Sequence, residues 1–102
     1  MPVEHMVWIK FNPGVDASRM QEHMDGLASL RDHVPGILDL KLGENFTNRS
    51  EGFTHGLIVT LEDKAALEGY RKHPKHVEVA GALVADAKLL VMDFVYPPEP
   101  TA

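Results

Sequence analysis

The chain opens on alternation. From Val3 to Phe11, β-branched and aromatic residues recur with a period of two, placing His5, Val7, Ile9 and Phe11 on one face and Met6, Trp8 and Lys10 on the other. That period, stopped by Asn12-Pro13-Gly14, predicts a strand closed by a turn. From Asp16 the spacing lengthens to a helical one, with Met20, Met24, Leu27 and Leu30 on one stripe and Ser18 with Gln21 read as a capping box. Val34-Pro35-Gly36 ends this helix. Ile37 to Phe46 and Phe53 to Leu61 read as strands, separated by the polar turn cluster Thr47 to Gly52. Asp63 to Arg71 predicts a short helix with Ala66, Leu67 and Tyr70 inward. Pro74 suits the first turn of another helix reaching Asp86, with Val77, Ala80 and Val84 as its recurring apolar positions. Leu89 to Tyr96 is the last strand. Residues 97–102 are rich in proline, cannot extend a ladder, and are expected to form a flexible tail.

The order β-α-β-β-α-α-β predicts an α+β, ferredoxin-like sandwich, one antiparallel sheet with helices on one face, as a single domain over residues 1–96. The last strand sets Leu89, Val91, Asp93 and Val95 against Leu90, Met92, Phe94 and Tyr96, so both sheet faces are apolar. Helices can cover only one of them. The face bearing Met6, Trp8, Met92 and Phe94 is therefore expected to meet a second copy, making a homodimer. The competing reading covers Trp8 with the tail.

Composition narrows the function. The 102 residues are 44% hydrophobic and 25% charged, enough for one modest core. The net charge is −5 and the basic residues are dispersed, with Arg71, Lys72 and Lys75 the densest group. Nucleic-acid binders carry a basic stripe, so no nucleic acid is expected as partner. No apolar run approaches the ~20 residues of a membrane span, and no secretory signal precedes the first strand, so the expected setting is cytoplasmic, away from membrane. The absence of cysteine removes disulfides, thiolate nucleophiles and thiolate-held metals.

Chemistry concentrates in Tyr70-Arg71-Lys72-His73-Pro74-Lys75-His76. His76 falls in the first turn after Pro74, where the positive helix end favours a neutral imidazole. A neutral imidazole is a base near pH 7, and a tyrosine can donate to a developing oxyanion. The competing reading makes Tyr70 core and the histidines a local cap. His5, His55 and Asp93 alternate onto the helix-facing side, which suggests a lined cavity with a carboxylate orienting an imidazole. His23 and His33 read as surface or helix-end histidines. Three histidines and an aspartate would also suit a zinc or nickel ion, yet no tight ligand spacing supports one, and neither metal nor cofactor is expected.

Glu4-His5-Met6-Val7-Trp8-Ile9-Lys10-Phe11, Val34-Pro35-Gly36-Ile37, Gly52-Phe53-Thr54-His55-Gly56 and His73-Pro74-Lys75-His76-Val77 together resemble the stress-responsive A/B barrel (Dabb) family, in matching order from residue 3 to 96. The resemblance implies a ferredoxin-like fold whose dimer packs sheet on sheet as an α/β barrel. It also implies kinship with plant stress proteins and with a polyketide cyclase that closes a ring by aldol chemistry without a cofactor. By that resemblance His76 matches the catalytic base, Tyr70 its partner, and Asp93 a carboxylate near the base. His5 and His55 match pocket-lining histidines. Met24, Leu27 and Asp86 stand where the cyclase has large aromatics; with Leu57, Leu89 and Val91 in the wall, the expected ligand is a small hydrophobic carbonyl or phenolic compound. Two functions stand side by side: a cofactor-independent cyclase or lyase, and a non-catalytic stress-response or ligand-binding homodimer. A structural divalent cation on the carbonyls of Val34 to Ile37 is a third, weaker option.

Overall fold

The computed structural model describes residues 1–98. Strand β1, Val3–Phe11, forms the middle of a four-stranded antiparallel sheet with β2 (Ile37–Glu44), β3 (His55–Leu61) and β4 (Ala87–Val95) in the order β2-β3-β1-β4. Helices α1 (Ala17–Ser29), α2 (Lys64–Lys72) and α3 (Pro74–Asp86) lie on one face, with a short 3-10 turn, Leu30–Asp32, after α1. This is the α+β ferredoxin-like arrangement that the element order predicts.

The register carries the alternation into three dimensions. His5 pairs with Val59 on one side and Asp93 on the other, Val7 with Leu57 and Val91, and Ile9 with His55 and Leu89. Those side chains share the helix-facing side, where Ile9, Leu30, Val59 and Leu61 are fully buried. Burying such side chains contributes roughly 1.5–3 kcal/mol each. Gly36 seats the loop before β2 directly on α2. Its φ is +87°, and a Cβ there would stand 2.9 Å from the Ala66 methyl, so the position tolerates only glycine.

Several local expectations give way to tertiary contacts. Asp16, not Ser18, caps α1: its carboxylate accepts the Arg19 backbone N–H at 2.8 Å. β2 stops at Glu44, leaving Phe46 outside the ladder and 96% exposed. In α3, Val77 and Val84 point outward and Leu83 is buried, so the inward stripe is His76, Ala80, Leu83 and then Ala87. His23 is buried rather than at the surface, because Asp86 meets it from α3. Of the expected tail, Pro97 and Pro98 lie beyond β4, and residues 99–102 lie outside the described residues.

The opposite sheet face is open. Trp8, Leu90, Met92, Phe94 and Tyr96 are exposed there, Trp8 resting edge-on against Phe53 at 6.2 Å. Among the described residues, no helix is long and apolar enough to cross a membrane.

Candidate active site

The junction of α2 and α3 builds the site. His73 has extended backbone (φ −62°, ψ 134°), which ends α2, and its Nδ1 accepts the Lys75 N–H at 3.1 Å, which starts α3. Pro74 follows at the first helical position, where its missing N–H costs nothing. The first histidine of this segment is thus a cap. The second does something else. His76 turns inward one step later, and its Nδ1–H donates to the Arg71 carbonyl at 3.2 Å. A carbonyl only accepts, so in the neutral ring the lone pair resides on Nε2.

Beneath this junction lies a cavity of about 500 Å³ whose polar lining is His5, Tyr70, Arg71, His76 and Asp93. Its apolar wall includes Leu27, Leu57, Leu83, Leu89 and Val91. Tyr70 stands between two imidazoles, with ring centroids 4.4 Å from His76 and 5.4 Å from His5. His5 is fixed from the far side by Asp93 on β4, Nδ1 to Oδ1 at 2.5 Å. The carboxylate therefore orients His5, while the Arg71 carbonyl orients His76. Val91, on the edge strand β4, lines the cavity and is 48% exposed although it faces the helix side.

Burial sets the protonation states. It pushes the His76 pKa below its ordinary 6.5, and the positive charges of His5, Arg71 and His73 push the same way against the bond to the Arg71 carbonyl. It pushes the Tyr70 phenol up to about 12. Near neutral pH the pair is a base with a free lone pair beside a protonated hydroxyl. That combination can remove a proton next to a carbonyl and hydrogen-bond the oxygen that gains charge.

The other sequence candidates lie elsewhere. His55 sits further along the sheet, its Nδ1 2.8 Å from the Thr54 hydroxyl and its ring edge-on to Phe11 at 5.3 Å, outside the cavity. Met24 is buried in the core and does not line the cavity either. Asp86 belongs to a closed network with His23 (2.6 Å) and Arg19 (2.9 Å). Arg71, Ala80 and Leu83 line the cavity unforeseen. The spacing His76-Ala80-Leu83-Ala87 is the signal that points to the last two. A second groove, of about 480 Å³ between α2 and β4, shares Asp93 but has neither imidazole nor phenol. Among the described residues, no group of three or more His, Asp or Glu side chains is placed to hold a metal ion.

Fold and cavity together define a ferredoxin-like α+β protein with a tyrosine between two histidines in the seam between sheet and helices. The chain belongs to the family described as the stress responsive A/B barrel domain (Dabb), whose model matches residues 3–96. It is 31% identical over 96 residues to a stress-response A/B barrel domain-containing protein of Arabidopsis thaliana, covering 91% of this chain and 88% of that one. It is 29% identical over 97 residues to olivetolic acid cyclase of Cannabis sativa, covering 92% and 96%. A crystal structure described as a dimeric ferredoxin-like protein of unknown function, from a Jannaschia species, superposes with a TM-score of 0.81 at 31% identity, covering 93% of this chain and 99% of that one.

Proposed function

We propose that this chain is a homodimer whose cavity binds a small hydrophobic carbonyl compound and catalyses cofactor-independent acid–base chemistry on it, of the cyclase or lyase kind. The observation that carries the reading is Tyr70 held between His5 and His76 in an otherwise apolar cavity. The similarity to olivetolic acid cyclase supports it. In this reading His76 Nε2 takes the proton α to a carbonyl. Tyr70 donates to the oxygen of the resulting enolate. The carbanion attacks a second carbonyl within the same molecule, that oxygen takes back the proton held by His76, and loss of water followed by enolisation of the two remaining carbonyls gives the aromatic ring. Asp93 holds His5 as a pocket wall beside Tyr70. The apolar face with Trp8, Met92 and Phe94, and the dimeric description of a similar structure, support the homodimer.

Single-turnover assays on a linear aliphatic triketone that closes to a resorcinol test this. His76→Ala is expected to slow closure by about 10²–10⁴-fold, the usual effect of removing a general base. Tyr70→Phe should cost about 10²-fold, as for the loss of one oxyanion donor. Unchanged rates in both variants sink the assignment. Binding without turnover in the wild type selects the alternative, a non-catalytic stress-response or ligand-binding homodimer.

A further inference from the structure

The open sheet face is apolar in its middle and charged at its two ends, and the register shows how. Met6, Ile58 and Met92 stand side by side in one row across the sheet, and Trp8, Gly56 and Leu90 in the next. Before them on β1, Glu4 lies between Thr60 and Phe94, with Asp39 beyond Thr60. After them, Lys10 faces Lys88. From Glu4 to Lys10 is about 20 Å at the rise of a strand. Within one protomer these charges are poorly matched. Asp39 has Lys41 at 3.5 Å. The half-buried Glu4 carboxylate accepts the Thr60 hydroxyl at 2.9 and 3.0 Å, and among the described residues it meets no cation. Lys10 and Lys88 are directly opposite in the ladder, where like charges repel. Lys10 reaches the Glu51 carbonyl at 3.4 Å and lies over the Phe53 ring, yet among the described residues neither lysine meets a carboxylate.

Covering the apolar middle with a second copy strips water from Glu4, and a carboxylate that loses water without gaining a cation is costly. Two identical faces can be laid with like ends together or with ends exchanged. Like ends set Glu4 against Glu4 and the lysine pair against the lysine pair. Exchanged ends set Glu4 of each copy over Lys10 and Lys88 of the other, and twofold symmetry makes that contact twice. The axis then crosses β1 between Met6 and Trp8, so the apolar middle meets its own copy and the charges fall at the rim. Resting on the homodimer reading, we infer that the two sheets pack with their strand ends exchanged, and that Glu4 meeting the Lys10 and Lys88 pair fixes this orientation. The apolar rows supply area without direction. The charged rows supply direction, because the wrong alignment brings like charges together.

Sedimentation equilibrium of the full chain tests this, first on the wild type and independently of any variant. The dimer should weaken about tenfold between about 50 and 500 mM sodium chloride, the scale of two screened ion pairs at an interface edge. Glu4→Lys should weaken it at least as much, and so should Lys10→Glu combined with Lys88→Glu. The triple exchange, Glu4→Lys with Lys10→Glu and Lys88→Glu, should return the dimer to wild-type strength, because it reverses both sides of every contact. With like ends together, none of these reversals changes the sign of any pair, and salt tightens the dimer. A wild-type dimer that tightens with salt, or that neither salt nor the reversals move, overturns the exchanged orientation and leaves the homodimer standing. A triple variant as weak as the partial ones does the same. A chain that stays monomeric at every concentration and salt takes the homodimer reading down as well.

Discussion

Two imidazole–carboxylate pairs sit beneath the same helix layer and are built alike. His5 meets Asp93 at 2.5 Å and His23 meets Asp86 at 2.6 Å, both histidines being almost fully buried. Each ring also leans on an aromatic neighbour, His5 edge-on to Tyr70 and His23 stacked on Phe11 at 5.8 Å. The difference lies in what closes them. Asp86 has a second donor in Arg19, and its network ends on backbone and surface contacts. The His5 side ends on the cavity, with Tyr70 and His76 across it. A satisfied network ties α1 to α3 and leaves nothing for a ligand to do. The same two side-chain types become a candidate site only where an open volume adjoins them.

The largest expected effect separates the pairs by stability. His23→Ala removes a ring from a filled space and takes away one of the two side-chain donors to Asp86, so the cavity it leaves should cost about 3 kcal/mol. His5→Ala opens onto a cavity that water can enter, and should cost about 1 kcal/mol. Urea unfolding at constant m-value reads both. The order should reverse for ligand affinity, with His5→Ala weakening binding and His23→Ala leaving it intact. Equal losses of stability would break the distinction.

The second effect is on pH. Burial holds the His76 pKa below its ordinary value of 6.5. The unfolded chain then takes up that proton more readily than the folded one, so stability falls as pH drops below 6.5 and is unaffected above it. His76→Gln should flatten this slope, and the acid limb of turnover should lie below 6.5 because the base stays neutral down to its folded pKa. Asp86 acts in the same sense in a more acid window. Its bond to His23, then that to Arg19, holds it below its ordinary 3.8. Its contribution is present above 3.8 and is lost only as pH falls through the lowered folded value. Unfolding followed from neutral to acid pH should thus show the cavity side titrating first and the closed side last. A slope that His76→Gln leaves unchanged would remove His76 as the buried neutral base.

What the sequence makes legible here follows from the range of the contacts. Alternation in β1 and β4 places His5 and Asp93 on one face before any pairing is known, and the antiparallel register makes them partners. Alternation says nothing about position along a strand, which is why His55 shares the face yet pairs with Ile9, away from the cavity. The phase of α3 is ambiguous in an alanine- and valine-rich segment, since either stripe is apolar, and the choice falls to whichever side meets the sheet. His23 lies within the stripe of Met20, Met24 and Leu27, yet its polarity argues for the helix fringe. What admits it to the interior is Asp86, 63 residues away, a contact no local pattern carries. Tyr70 and His76 are close in sequence, and there the motif alone suffices to bring them together.

The smallest expected effect tests whether the two pairs are independent. Arg19→Gln removes the second donor to Asp86 but keeps the His23 bond. Asp86 is then held less far below 3.8, so its contribution disappears at a higher pH and the acid-unfolding midpoint should rise slightly. At neutral pH the loss of stability should be small, since exposed ion pairs contribute little, and it should vanish once Asp86 is protonated. Ligand affinity should not move. That last reading is the informative one, because α1 carries both His23 of the closed network and Leu27 of the cavity wall, one turn apart. If loosening Arg19 weakens binding, α1 transmits the state of one pair to the other, and the closed network is part of the site after all.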